Sequence, residues 1–112
     1  MTEKIYSIEE IKEIVAPIAK RHCVTKMYLF GSYARGDADA KSDVDIRIDA
    51  KNLRTLFALG GLYADLEDAL HKSLDLVTTE SLRANLHDPL TRKLVRHIKQ
   101  EEVLLYEELP AS

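Results

Sequence analysis

The run from Phe30 to Asp49 constrains this chain more than any other part of it. Its second half alternates, with apolar Val44, Ile46 and Ile48 interleaved between Asp43, Asp45, Arg47 and Asp49. Successive side chains of a strand point to opposite faces, so the pattern predicts a strand over Val44 to Ile48 with one face in the core. Asp43 and Asp45 then share the other face with Cα atoms about 6.5–7 Å apart, and their carboxylates can converge on one ion. Two like charges at that spacing repel unless a cation, proton or base stands between them. Hard oxygen donors suit Mg²⁺ or Mn²⁺, which keep some water and take phosphate oxygens into their shells. A lone Asp-x-Asp pair is more often a solvated strand face, and only its surroundings give it chemical meaning.

Those surroundings are the first half of the run. Gly31 and Ser32 directly follow Met27-Tyr28-Leu29-Phe30, the end of a strand predicted over Val24 to Phe30. Without a Cβ, Gly31 permits a sharp turn and lets a ligand approach the backbone. Amides of a short following helix, Ser32 to Arg35, would face an anion, and the Ser32 hydroxyl adds a neutral donor for phosphate oxygen. Gly36 is placed to end that helix. By itself a Gly-Ser step is an ordinary strand–turn–helix junction. Two rival motifs fail on inspection. Gly31-x4-Gly36 starts like a Walker A loop, but Asp37 and Ala38 stand where Lys and Ser/Thr are needed. Asp37-x-Asp39 starts like an EF-hand, but Lys41, Ser42 and Ile48 stand where that loop requires Asp or Asn, Gly and Glu.

Taken together, Gly31-Ser32, Ala34-Arg35-Gly36 and Ser42-Asp43-x-Asp45 resemble the signature of the DNA polymerase β-like nucleotidyltransferase superfamily, most closely its minimal, single-domain MNT branch. The resemblance covers nearly the whole chain and implies an α/β (α+β) fold, a small mixed β-sheet of three to four strands packed with helices. It implies catalytic and metal-binding roles for Asp43, Asp45 and an acid on a neighbouring strand, a position that Asp75 matches. It also implies nucleotide-binding roles for Gly31 and Ser32, with Arg35 a weaker candidate. The activity implied is Mg²⁺-dependent (or Mn²⁺-dependent) transfer of AMP from ATP to a hydroxyl. In the MNT branch the partner is often a HEPN-domain toxin, which the MNT protein neutralises as antitoxin. Two alternatives stay open: an antitoxin that masks its toxin by binding alone, and a nucleotidyltransferase acting on a small molecule. Arg47 departs from the family pattern, where a small or apolar residue is usual.

The 112 residues suit one domain, 1–112, able to bury roughly two-thirds of its unfolded surface. A net charge of −3 argues against nucleic acid or membrane as the main partner. A single cysteine, Cys23, cannot form an internal disulfide, and neither a charged-then-apolar leader nor a long apolar run stands in the sequence. A cytoplasmic protein is therefore expected. The four histidines show no metal-ligand spacing.

Along the chain, Ser7 and Glu10 form a capping box before an apolar stripe of Ile8, Ile11, Val15 and Ile18. Pro17, inside that stripe, is expected to kink or end the helix. A helix is predicted from Leu53 to about Leu70, with Leu56, Leu59, Leu62 or Tyr63, Leu66 and Leu70 near one side. Gly60-Gly61 in its middle suggests either close approach of another backbone or a local kink. Ser73 to Thr78 reads as a strand carrying Asp75, a charge that is costly there unless used or paired. Arg47 is the pairing alternative. Asp88-Pro89 opens a last helix with Leu90, Leu94 and Ile98 as its expected buried stripe and Arg92, Lys93, Arg96, His97 and Lys99 as a basic face. Val103 to Tyr106 is expected as an edge strand. Arg92-x4-His97 matches the spacing of HEPN ribonucleases, but that fold is all-helical and this chain has strands, so the match is chance.

Overall fold

Helix α1 (Ile8–Arg21) opens with the expected capping box. Ser7 Oγ accepts from the Glu10 amide at 3.1 Å, and Glu10 Oε1 accepts from the Ser7 amide at 3.0 Å. The computed structural model describes residues 3–50 and 56–109. Strand β1 (Lys26–Phe30), helix α2 (Gly31–Arg35), strand β2 (Val44–Asp49) and helix α3 (Leu56–Leu70) follow. Strand β3 (Leu74–Thr78), helices α4 (Thr79–Ala84) and α5 (Pro89–Glu101), and strand β4 (Val103–Glu107) complete the order. The four strands form one mixed sheet in the order β3-β2-β1-β4, with β1 antiparallel to both β2 and β4, and β2 parallel to β3. A parallel pair needs a crossover between its strands. Helix α3 supplies it.

Alternation in β2 sorts its side chains as predicted: Val44, Ile46 and Ile48 are fully buried, whereas Asp45, Arg47 and Asp49 are partly exposed. The buried face packs with Met27 and Leu29 of β1 under α1 and α3, which contribute Ile11, Val15, Leu62, Leu66 and Leu70 to a single core. Each fully buried side chain of this kind contributes about 1.5–3 kcal/mol relative to exposure, so this face holds the sheet flat against its helices. The opposite face carries the charged residues and is flanked by α2, α4 and α5.

Several points differ from expectation or go beyond it. Pro17 neither ends α1 nor shortens it; the helix continues to Arg21 because Pro17 and Glu13, whose carbonyl loses its amide partner, both lie on the exposed side and water can serve that carbonyl. Among the described residues of this chain, no other backbone lies close to the glycine pair in α3. A Cβ on Gly60 would find nothing within 4 Å, and one on Gly61 only the His22 ring at 3.8 Å. In α5, Ile98 is buried, but Leu90 is 75% and Leu94 37% exposed, because α5 meets the rest of the fold through its C-terminal half. Helix α4 was not anticipated at all. The start of the predicted third helix, 53–55, and the Leu56 side chain lie outside the described residues.

Candidate active site

The antiparallel register sets Phe30, the last residue of β1, opposite Asp45 of β2. Gly31 therefore turns directly over Asp45. It does so at φ +75°, and Asp45 Oδ2 occupies the space a Cβ would need. Glycine is required here twice, by backbone conformation and by the carboxylate pressed against it. Helix α2 then runs only to Arg35 and stops at Gly36, which is left-handed at φ +83° as anticipated.

The parallel register pairs Asp45 with Asp75 of β3, whose side chains thus project from neighbouring strands about 4.8 Å apart on one face. Asp43 stands one residue before β2. Burial first, then the charges of Asp75 and Asp43, push the Asp45 carboxyl up to about 6; Arg35 opposes this and Glu101 adds to it. Asp45 thus feels the charge of both other aspartates, a field that favours a proton or a cation at its carboxyl. Among the described residues no three His, Cys, Asp or Glu side chains are drawn together as a finished metal centre. Asp75 is exposed on an edge strand, so the desolvation cost expected for it does not arise.

The loop into Asp43 is fixed by its own polar groups. Asp39 Oδ1 accepts from the Lys41 amide at 2.9 Å, and Ser42 Oγ accepts from the Asp39 amide at 2.9 Å. From below, Lys72, only 3% exposed, donates to the Ala40 carbonyl at 3.0 Å.

Arg47 is not the partner of Asp75. Its guanidinium lies 2.9 Å from Glu102 Oε2 and 3.1 Å from Asp49 Oδ1, donates to Thr79 Oγ1, and stacks 4.2 Å over the Tyr28 ring. These contacts turn its charge along the sheet, towards the α5–β4 junction. Beyond Arg47 a cleft of about 380 Å³ opens between α4 and α5, walled by Leu82, Leu86 and Val95; Asp45 and Asp75 do not line it.

Glu101 stands at the candidate site and was missed by sequence reasoning. Its carboxylate accepts from the Gly31 amide at 3.2 Å and from Arg35 Nη1 at 3.0 Å. Seventy positions separate it from Gly31, and no local pattern signals the contact.

A profile described as Polymerase beta, Nucleotidyltransferase matches residues 9–109. The chain belongs to this family. As a nucleotidyltransferase it has named relatives. A Methanocaldococcus jannaschii chain assigned as a protein adenylyltransferase is 35% identical over 89 residues, covering 80% of this chain and 96% of that one. The protein adenylyltransferase MntA of Thermococcus cleftensis is 33% identical over 93 residues, covering 80% and 94%. Two solved structures share the fold. One is a toxin–antitoxin crystal structure with AMP-PNP, with TM-score 0.67, 24% identity, and coverage of 87% of this chain and 73% of that one. The other is a tri-AMPylated Shewanella oneidensis HEPN toxin in complex with its MNT antitoxin, with TM-score 0.63, 19% identity, and coverage of 90% and 73%. The expected mixed sheet, family and enzyme class are thus borne out, and no helix among the described residues is long and apolar enough to cross a membrane.

Proposed function

We propose that this nucleotidyltransferase moves AMP from ATP onto a hydroxyl, a tyrosine of a HEPN toxin, and so acts as the antitoxin of a cytoplasmic pair. The observation that carries the reading is the placement of Asp45. It lies against the Gly31 backbone and beside Asp75, with a carboxyl pushed up to about 6 by burial and by neighbouring carboxylates. That donor set, all oxygen and all anionic, fits Mg²⁺ (or Mn²⁺), which Asp43, Asp45 and Asp75 would hold. When bound, the ion supplies positive charge to the phosphate oxygens of an in-line displacement.

The chain's own groups account for the rest. The Gly31 amide, the Ser32 hydroxyl and Arg35 would meet the β- and γ-phosphates, where charge accumulates on the leaving pyrophosphate. The acceptor oxygen forms its bond to the α-phosphorus as the bond to the pyrophosphate oxygen breaks, and the hydroxyl proton passes to Asp75, which is exposed and open to an incoming side chain. The names of the adenylyltransferase relatives support adenine as the base, and the AMPylated HEPN complex supports a protein acceptor. The exposure of Asp43 and Asp75 is in keeping with an acceptor carried in by a partner. Arg47, which departs from the family pattern, is held by Glu102 and Asp49 and not by the aspartates of the site, and this supports catalysis over binding alone.

The test is to incubate the purified protein with the HEPN protein encoded beside it, labelled ATP and Mg²⁺. Label on the toxin that is lost with Asp43→Ala and with Asp45→Ala is the expected result. A toxin that is neutralised without label would replace catalysis by masking.

A further inference from the structure

Two of the three donors assigned to the polyphosphate are already engaged. Gly31 N–H and Arg35 Nη1 point at the two oxygens of one carboxylate, that of Glu101 in the last turn of α5, and that side chain is 18% exposed. A carboxylate and a phosphate are both oxyanions and want the same N–H groups. They cannot share them closely without like-charge repulsion. Resting on the nucleotidyltransferase reading above, we propose that Glu101 is the resident anion of the polyphosphate cradle, and that the nucleotide binds by taking its place on Gly31 and Arg35. Glu101 thereby sets nucleotide affinity.

The arrangement has a reason in the fold. Gly31 is held at φ +75° with the Asp45 carboxylate against it, so its amide is presented in one direction whether or not a ligand is there. An amide so buried needs an acceptor in the free protein, and Glu101 supplies one. Arg35 is likewise held between Glu101 and Asp37, at 3.0 and 3.3 Å. The next residue, Glu102, holds Arg47. Two consecutive carboxylates at the α5–β4 junction thus hold Arg35 and Arg47. Displacement of Glu101 by the nucleotide would leave the Glu102–Arg47 pair intact and α5 in place. The exchange is local: one side chain leaves two donors.

The experiment is calorimetric titration of AMP-PNP with Mg²⁺ into wild type, Glu101→Gln, Glu101→Asp and Asp37→Asn. Glutamine keeps the shape and the acceptor oxygen but loses the charge, and aspartate is too short to reach both donors. Both variants are expected to bind about tenfold tighter, the scale of one charge-assisted hydrogen bond. Asp37→Asn frees Arg35 from its exposed partner but leaves Gly31 covered, and is expected to change affinity less than about twofold. AMP, which lacks the β- and γ-phosphates, should bind wild type and Glu101→Gln alike. Folded Glu101 variants that bind AMP-PNP no tighter than wild type, or more weakly, would overturn the proposal while leaving the nucleotidyltransferase reading standing. Absence of AMP-PNP binding in wild type and variants together would bring down both.

Discussion

Asp45 gathers several constraints at one residue. Burial and the charges of Asp75 and Asp43 push its carboxyl from its usual 3.8 up to about 6. An acid whose folded pKa exceeds its unfolded one binds its proton more tightly when folded, so the associated stability is present below 3.8 and is lost as pH rises through about 6. Without divalent cation, Asp45→Asn should therefore melt higher than wild type at neutral pH, with the gap in Tm shrinking to nothing towards about pH 4. Glu10 and Asp65, whose carboxyls are lowered by Lys4 and His22 respectively, are shared by both proteins and cancel in that difference. A gap that is constant with pH would mean that the carboxylates do not strain one another. Gly31 is the second decisive residue. Gly31→Ala must hold an alanine at φ +75° and also displace Asp45 Oδ2. The backbone alone costs about 1–2 kcal/mol, so urea denaturation should show at least that loss, together with loss of Mg²⁺-dependent nucleotide binding.

At the scale of elements, the two main helices carry residues that their own stability does not want. Pro17 sits inside α1 on its exposed side, and Pro17→Ala restores an amide donor to Glu13 without touching the core. A stabilisation of about 1–3 kcal/mol is expected by thermal or urea denaturation. Gly60 has open space where a Cβ would go, so Gly60→Ala should stabilise α3 by about 0.5–1 kcal/mol. These elements were legible because their signals are local: a capping box four residues long, an alternation of period two, and an apolar stripe of period 3.6. Helix α4 was not, since Thr79–Ala84 is six residues with no buried side chain and its cap, Thr78 to Ser81, looks like any turn. The α5 stripe misled for a related reason. Helical spacing shows that Leu90, Leu94 and Ile98 share a face, but only the tertiary position of α5 decides how far along that face the protein extends.

For the molecule as a whole, the site is a junction of two registers, β1 on β2 and β2 on β3, and each brings one group to Asp45. The sequence pattern revealed Asp43, Asp45 and Gly31 because they sit within 15 positions of one another. Asp75 needed the family resemblance, and Glu101, Glu102 and Lys72 needed the fold, since their partners are 30 or more positions away. A site assembled this way would tie the proposed cation to the folded state. The unfolded chain separates Asp75 from Asp45 and has little affinity for Mg²⁺, so the ion stabilises by mass action. At ten times its dissociation constant the gain is about 1.4 kcal/mol, or roughly 5 °C in Tm for a domain of this size. The proton competes for the same oxygen. Scanning calorimetry should show that rise at about pH 7.5 and little of it at about pH 5, where the Asp45 carboxyl, with its pKa near 6, is mostly protonated. Asp45→Asn should abolish the rise at both, whereas Asp75→Asn, which removes a donor and also the neighbour that raises Asp45, should leave a smaller shift that persists to lower pH. An equal Mg²⁺ response in wild type and Asp45→Asn would place the ion elsewhere on this acidic chain and leave the carboxylate junction without its counter-charge.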